Sequence, residues 1–347
     1  MKKIIKSTAI VLLSIASLGV AQARDLTVVG WGGTAQDAHR KAFFEPFIKK
    51  TNIPIVEDTW GGGYGILQSK VQAGVPNWDV VMVEAEELSL GCQDGLFEKL
   101  DWSKIGNKDD FIDGSVSDCG AGSYVWSTTL AYDKDRFPEN GPKNWVDFWD
   151  KKKYPGKRTL RKGPKFTLEY ALMADGVPAT EVYDVLSTPE GVDRAFKKLD
   201  EIKSDIIWWE SGTQPVQLLI SGDVVMAAAY SARIDAVDKL ENRHLQIVWN
   251  QSIYSIDSWV IMKNSPNIDN ATKLIAFIEA YEQQSRVPQY LAYGVINKKA
   301  AMDIDPERNK DLPTNPDNMK VSIPINVEFW TDNLEALTER YNAWLAQ

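Results

Sequence analysis

Between Ile206 and Asp257 the chain gathers Trp208, Trp209, Tyr230, Arg233 and Asp257, separated by short apolar runs of helical and strand character. Aromatic faces attract an ammonium, a carboxylate pairs with it, and a guanidinium takes a carboxylate in a two-point contact. A small amine or amino acid held away from bulk water needs this combination. The chemistry implied is recognition rather than catalysis. An enzyme would need a nucleophile with its base, a working carboxylate pair or a metal cluster. The chain has 2 histidines, His39 and His244, in no metal-ligand spacing, and no Gly-x-Ser-x-Gly. Carboxylate pairs such as Glu86-Glu87 are common on protein surfaces and carry no argument for catalysis. No metal and no cofactor is expected.

The elements that must position these groups read as an α/β chain. Asp25 to Gly30 is a β-branched run followed by the turn Trp31-Gly32-Gly33-Thr34 and a helical pattern from Ala35 to Lys50. Ile53 to Thr59 is a second strand, followed by Trp60-Gly-Gly-Gly-Tyr64 and a helix through Gln72. This glycine cluster lacks the Gly-Lys-Ser/Thr ending of a phosphate loop and matches no dinucleotide fingerprint. Asp79 to Val83 is apolar throughout, as in a parallel sheet buried on both faces, and ends at Glu84-Ala-Glu86-Glu87. Open α/β sheets bind ligands at the carboxyl ends of their strands, so these three turns form one candidate wall.

Tyr124 to Tyr132 reads as a further strand, and the change of composition after it places a first crossing into a second lobe near residue 128. Helices are expected at Thr167 to Asp175 and Glu190 to Lys203, a return crossing at Trp249 to Tyr254, and a strand at Trp259 to Met262. A helix from Ile268 to Ser285 and a final one from Asn326 to Leu345 follow, the last with Trp330, Leu334, Leu337, Tyr341 and Trp344 on one face. Most of the 13 tryptophans belong to packing, Trp145 and Trp149 among them.

The first residues carry Lys2, Lys3 and Lys6, an apolar run to about Val20 and Ala21-Gln22-Ala23, the pattern of an export signal over residues 1–23 cleaved after Ala23. Such a leader directs the mature chain to the periplasm. A formal charge of −9, spread without acidic or basic blocks, gives no reason to expect nucleic acid or an anionic membrane surface as partner. Cys92 and Cys119, in an exported chain, are expected to form a disulfide.

The signal, the strand-turn-helix start, NWVDFWDKKKYPGKR, WWESGTQPVQLLISGDVVMAAAYSAR, YSIDSWVI and AYGVINKKA occur in order. In this the chain resembles the periplasmic solute-binding proteins of ABC importers, in the spermidine/putrescine branch that includes γ-aminobutyrate receptors. The resemblance implies the two-lobed type II periplasmic binding protein fold, with two inter-lobe crossings and a C-terminal helix. The corresponding division is lobe 1 over 24–127 and 251–325, lobe 2 over 128–250, and the terminal helix over 326–347. It also implies closure of the lobes on a solute and delivery by a monomer to an inner-membrane permease. Carried over by position, Trp31, Asp257 and Tyr293 are the foremost ligand residues, with Glu84, Trp209 and Tyr230 behind them.

One stretch departs from the polyamine pattern. Acidic residues that hold the second amine are replaced by Arg161-Lys162-Gly-Pro-Lys165-Phe166, which would repel a dication unless the side chains point to solvent. Arg233 then has two readings: a structural arginine, or the partner of a zwitterion's carboxylate while Asp257 takes the ammonium. Putrescine-like amines and ω-amino acids such as γ-aminobutyrate both stay open. So do a thiamine or iron receptor of the same fold and an exported hydrolase. Against iron stands the scatter of Tyr124, Tyr132, Tyr230 and Tyr293, with no adjacent tyrosine pair.

Overall fold

The computed structural model describes residues 24–74 and 76–347; the expected signal segment and its cleavage point lie outside the described residues. Runs rich in valine and alanine become the strands of one mixed sheet. β1 (Leu26–Gly30) lies between β2 (Ile55–Thr59) and β3 (Val80–Val83), parallel to both. At the other end β5 (Arg158–Arg161) lies between β6 (Ile206–Trp209) and β7 (Met226–Tyr230), again parallel to both. Between these halves run two long antiparallel strands, β4 (Gly120–Asp133) and β8 (Leu245–Ile261). The order is β2-β1-β3-β8-β4-β7-β5-β6, with the short β9 (Ile323–Pro324) on β8. A parallel sheet covered by helices on both faces needs apolar residues at every position, and β1 and β3 are buried throughout accordingly; the antiparallel β4 is buried too, all but its last residue.

The long strands carry the chain between the halves. β4 pairs with β8 from Gly120 onward and takes on β7 only from Thr128, while the Ser258–Ile261 end of β8 pairs with β3. A separate strand at Trp259 to Met262 was expected after a return crossing; instead one continuous strand runs from Leu245 to Ile261. The irregular composition at Trp249 to Tyr254 has a different cause. The register jumps there, Thr128 facing Ile253 and Leu130 facing Val248. Gln251 sits in the bulge at φ 63° and its N–H donates to Val321 at 2.8 Å.

The helix expected from Ala35 to Lys50 forms as Gly33–His39, a π turn Arg40–Phe44 and Glu45–Thr51. The one expected from Ile268 to Ser285 breaks at Ala280, whose ψ of 142° leaves the helical region between Ile268–Glu279 and Tyr281–Gln284. The terminal helix Val327–Leu345 is capped by the Asn326 side chain and buries Trp330, Leu337, Tyr341 and Trp344. It packs on the helix Ala85–Gln93 from the first half and, through Trp344 Nε1 to Asp200 at 2.7 Å, on the second. Trp145 and Trp149 are buried as expected, and Trp145 stacks on Tyr170 at 3.6 Å. Cys92 and Cys119 are joined, Cα atoms 5.8 Å apart. The bond ties the last turn of the helix Ala85–Gln93 to the start of β4 and stabilises the fold by about 3.5 kcal/mol in the chain-entropy account.

Candidate ligand-binding site

Strand polarity alone builds a cavity between the two parallel halves. In the first half, β1 ends at Gly30 and delivers Trp31, β2 ends at Thr59 and delivers Trp60, and β3 ends at Val83 and delivers Glu84. In the second, Arg161, Trp209 and Tyr230 are themselves the last residues of β5, β6 and β7, and the helix Ser231–Glu241 places Arg233 in its first turn. Facing carboxyl ends thus enclose a cavity of about 180 Å³, whose lining also takes in Tyr124, Trp126, Asp257 and Tyr293. All seven residues expected from the sequence, Trp31, Glu84, Trp209, Tyr230, Arg233, Asp257 and Tyr293, line this one cavity. Trp208 does not: its side chain points to the opposite face of β6, edge-on to Tyr341 and Trp344 at 5.8 and 6.0 Å.

The walls are aromatic and held rigid. Trp31 stacks on Trp60 at 5.3 Å with 12° between planes. Tyr293 stacks on Tyr124 at 4.0 Å, because the loop carrying it pairs through Gly294 with Val125 of β4. Tyr230 meets Trp126 and Trp209 edge-on at 5.4 and 5.8 Å, and Trp209 is fixed by its Nε1 donating to Ala228 at 3.0 Å. Such rings present electron-rich faces that attract an organic cation.

Asp257 is 4 % exposed. Trp31 Nε1 donates to its Oδ2 at 2.6 Å, the Tyr124 hydroxyl to the same oxygen at 3.1 Å, and Trp126 Nε1 to Oδ1 at 2.5 Å. These donors are neutral, and among the described residues no cation forms an ion pair with it. Burial, with the charge of Glu84 second, pushes its carboxyl well above the ordinary range, against the three hydrogen bonds. Such a group gains most from a cation brought in by the ligand.

Arg233, 7 % exposed, is the opposite case. Its Nε has no hydrogen-bond partner, it forms no ion pair with any described carboxylate, and its guanidinium lies 6.0 Å from the Tyr230 ring. The room it occupies depends on two glycines. A Cβ at Gly33 would stand 3.0 Å from its Nη1, and one at Gly212 would stand 3.1 Å from its Nε and 3.0 Å from Tyr230. One cavity therefore holds a buried carboxylate and a buried guanidinium that do not pair with each other.

Glu84 lines the same cavity but is already engaged. Its carboxylate contacts Lys165, which also contacts Glu86, and Arg161 stands 3.6 Å away. Burial opposes its charge, yet Lys165 and Arg161 outweigh that and hold it at about 2. The basic stretch does not turn to solvent as a whole: Lys165 is 6 % exposed and Arg161 half-buried, and only Lys162 reaches the surface, pairing with Glu210. Tyr124, Trp126 and Arg161 were not foreseen as lining residues. The alternation of Tyr124 and Trp126 along β4 does put both rings on one face, which is the signal available for them.

The profile of the bacterial extracellular solute-binding protein family matches residues 42–314. A gamma-aminobutyric acid-binding protein of Pseudomonas aeruginosa is 43 % identical over 335 residues, 96 % of this chain and 95 % of that one. Among solved structures, an ABC transporter substrate-binding protein from Bradyrhizobium japonicum superposes with a TM-score of 0.84 at 38 % identity, over 93 % of this chain and 99 % of the other. A GABA receptor superposes with a TM-score of 0.82 at 35 % identity, over 93 % and 98 %. The architecture is accordingly the two-lobed one of periplasmic binding proteins. With strand polarity, cavity and relatives in agreement, the chain is a solute-binding protein, not an enzyme, and belongs to the bacterial extracellular solute-binding family.

Proposed function

We propose that this protein is the periplasmic receptor of an ABC importer for a short ω-amino acid, with γ-aminobutyrate the best fit. The observation that carries the reading is the coexistence, in one small cavity, of Asp257 without a cation and Arg233 without an anion. A zwitterion whose charges lie at the two ends of a short chain satisfies both at once. The ammonium replaces the missing countercharge of Asp257 beside the rings of Trp31 and Trp126, and the carboxylate takes two N–H groups of Arg233. The names of the relatives agree, since two of them bind or are receptors for γ-aminobutyrate. Trp31, Trp209, Tyr230 and Tyr293 pack the methylene chain, and Glu84 acts through Lys165 and Arg161 rather than on the ligand.

In this reading the lobes meet at 127/128, where β4 takes on β7, and at 250/251, at the bulge in β8, and the ligand favours the closed state because both lobes touch it. The mature protein begins at Arg24, works as a monomer and docks in its closed form on an inner-membrane permease. Isothermal titration of ligand-stripped protein with γ-aminobutyrate, 5-aminovalerate, putrescine, spermidine and the α-amino acids tests it. The ω-amino acids are expected to bind at least tenfold more tightly than the others. A preference for putrescine or spermidine would remove Arg233 from its assigned role.

A further inference from the structure

We propose that Lys165 sets the specificity of the site by acting as a resident cation, filling between Glu84 and Glu86 the place that a second ligand ammonium would otherwise occupy. The inference rests on the amine-binding role of Asp257 given above and adds what excludes diamines. Glu84 lines the ligand cavity and is close enough to Asp257 for its charge to act there, so the two carboxylates are placed to grip the two ends of a diamine. Lys165 forecloses this. Its ammonium is buried and contacts the carboxylates of both Glu84 and Glu86, while Arg161 approaches Glu84 from the cavity side.

The charge count on this wall is decisive. Glu87, raised to about 8 by burial, is mostly protonated at neutral pH; with Glu84 and Glu86 both ionised, Lys165 and Arg161 then bring the sum to zero, and with Glu86 protonated the sum is plus one. In neither state is there negative charge left for a second ammonium, and desolvating one here would find no partner. A zwitterion sends its carboxylate to Arg233 and makes no demand on this wall. Lys165 does not line the ligand cavity and is a positioning residue that works through Glu84. Beyond the Glu84–Arg161 pair lies a second cavity of about 200 Å³, lined by Lys165, Glu86 and Glu87, and by Leu334 and Thr338 of the terminal helix. The pair is thus a partition between two spaces, and its charge balance limits how far a cationic ligand can extend.

The test compares three ligands with the same four-carbon chain, n-butylamine, putrescine and γ-aminobutyrate, by isothermal titration on the mature protein. For the wild type, putrescine is expected to bind no more tightly than n-butylamine; a tenfold advantage for the diamine would overturn the proposal without any variant. Lys165→Gln keeps much of the volume and the hydrogen-bonding reach while removing the charge. It should improve the putrescine-to-butylamine affinity ratio at least tenfold, whereas Lys165→Arg should leave the ratio at the wild-type value. A folded Lys165→Gln protein with an unchanged ratio, or an equal gain in Lys165→Arg, would sink the idea, because a purely structural lysine would shift both amines alike. If γ-aminobutyrate binds no better than n-butylamine, the zwitterion reading falls, while the ratio of the two amines still decides the role of Lys165.

Discussion

At the scale of single residues, the two buried charges make opposite demands. Asp257 is surrounded by neutral donors, so its carboxylate is the group that an ammonium rewards most. Asp257→Asn is expected to weaken γ-aminobutyrate binding by about a hundredfold or more, in line with the roughly 2–5 kcal/mol lost when one partner of a buried charge pair is removed. The same change should raise the melting temperature of the ligand-free protein at neutral pH. An acid whose pKa is raised by folding costs the folded state stability at any pH above its ordinary value, because the unfolded chain ionises more readily, and asparagine removes that cost. A loss of both binding and stability would instead make Asp257 a structural residue. Arg233→Ala should weaken γ-aminobutyrate by a similar factor and n-butylamine much less, measured by the same titration. Equal losses for the two ligands would mean that Arg233 does not touch a carboxylate. The sequence supplied these two residues because charge and aromatic type are written in it. It could not supply the hydrogen bonds from Trp126 and Tyr124 to Asp257, which depend on a β4–β8 register set by pairing across more than a hundred positions of chain.

At the scale of elements, the site follows from strand direction. Three parallel strands in each half end at the same cavity, and the apolar runs of β1, β2, β3, β6 and β7 were legible together with the glycine-rich turns after β1 and β2, whereas β5, Arg-Thr-Leu-Arg, was not. What a linear reading could not separate was a strand that ends from one that bulges and continues, hence the continuous β8 in place of a crossing and a new strand. Nor could it see that the basic segment after β5 turns Arg161 and Lys165 inward, since the partners that make burial tolerable, Glu84 and Glu86, come from a distant helix start. The loop between β6 and the helix Gln214–Ile220 carries a consequence of its own. A Cβ at Gly212 would stand 3.0 Å from Tyr230 and 3.1 Å from Arg233 Nε, so both side chains would have to give by a few tenths of an ångström. Gly212→Ala is therefore expected to weaken zwitterion binding about tenfold through displacement of the guanidinium, a loss of order 1.4 kcal/mol, with little change in melting temperature because the loop residues are half-buried or exposed. Unaltered affinity would show that Arg233 has room to shift without consequence.

For the whole molecule, the helices outside the site decide how the halves are held, and one buried acid joins them. The terminal helix was legible from its apolar face, but its fixed point was not. Trp330 Nε1 donates to Glu169 Oε1 at 2.8 Å, the Tyr183 hydroxyl donates to the same oxygen at 3.0 Å, and Oε2 is buried without a partner. Burial raises the Glu169 carboxyl to about 7, against these hydrogen bonds. The folded state thus holds this proton more tightly than the unfolded chain, whose glutamate titrates near 4.3. Its contribution to stability is complete below that ordinary value and is lost as pH rises through 7. Glu87, raised to about 8 by burial and by the charges of Glu84 and Glu86, acts in the same direction. His39 acts oppositely, since burial lowers it to about 3 and unfolding lets it take up a proton below its ordinary 6.5. Between pH 6.5 and 8.5 the two acids dominate, and the melting temperature of the ligand-free protein should fall by a few degrees. Glu169 accounts for about 0.8 kcal/mol of that change and Glu87 for about 2, since at 1.36 kcal/mol per pH unit of differential protonation most of the Glu169 contribution is already lost below pH 6.5. Glu169→Gln, which keeps an acceptor for Trp330, should reduce this slope by roughly a third and melt above the wild type at pH 8.5. An unchanged slope in the variant would show that Glu169 is not the group whose ionisation loosens the terminal helix.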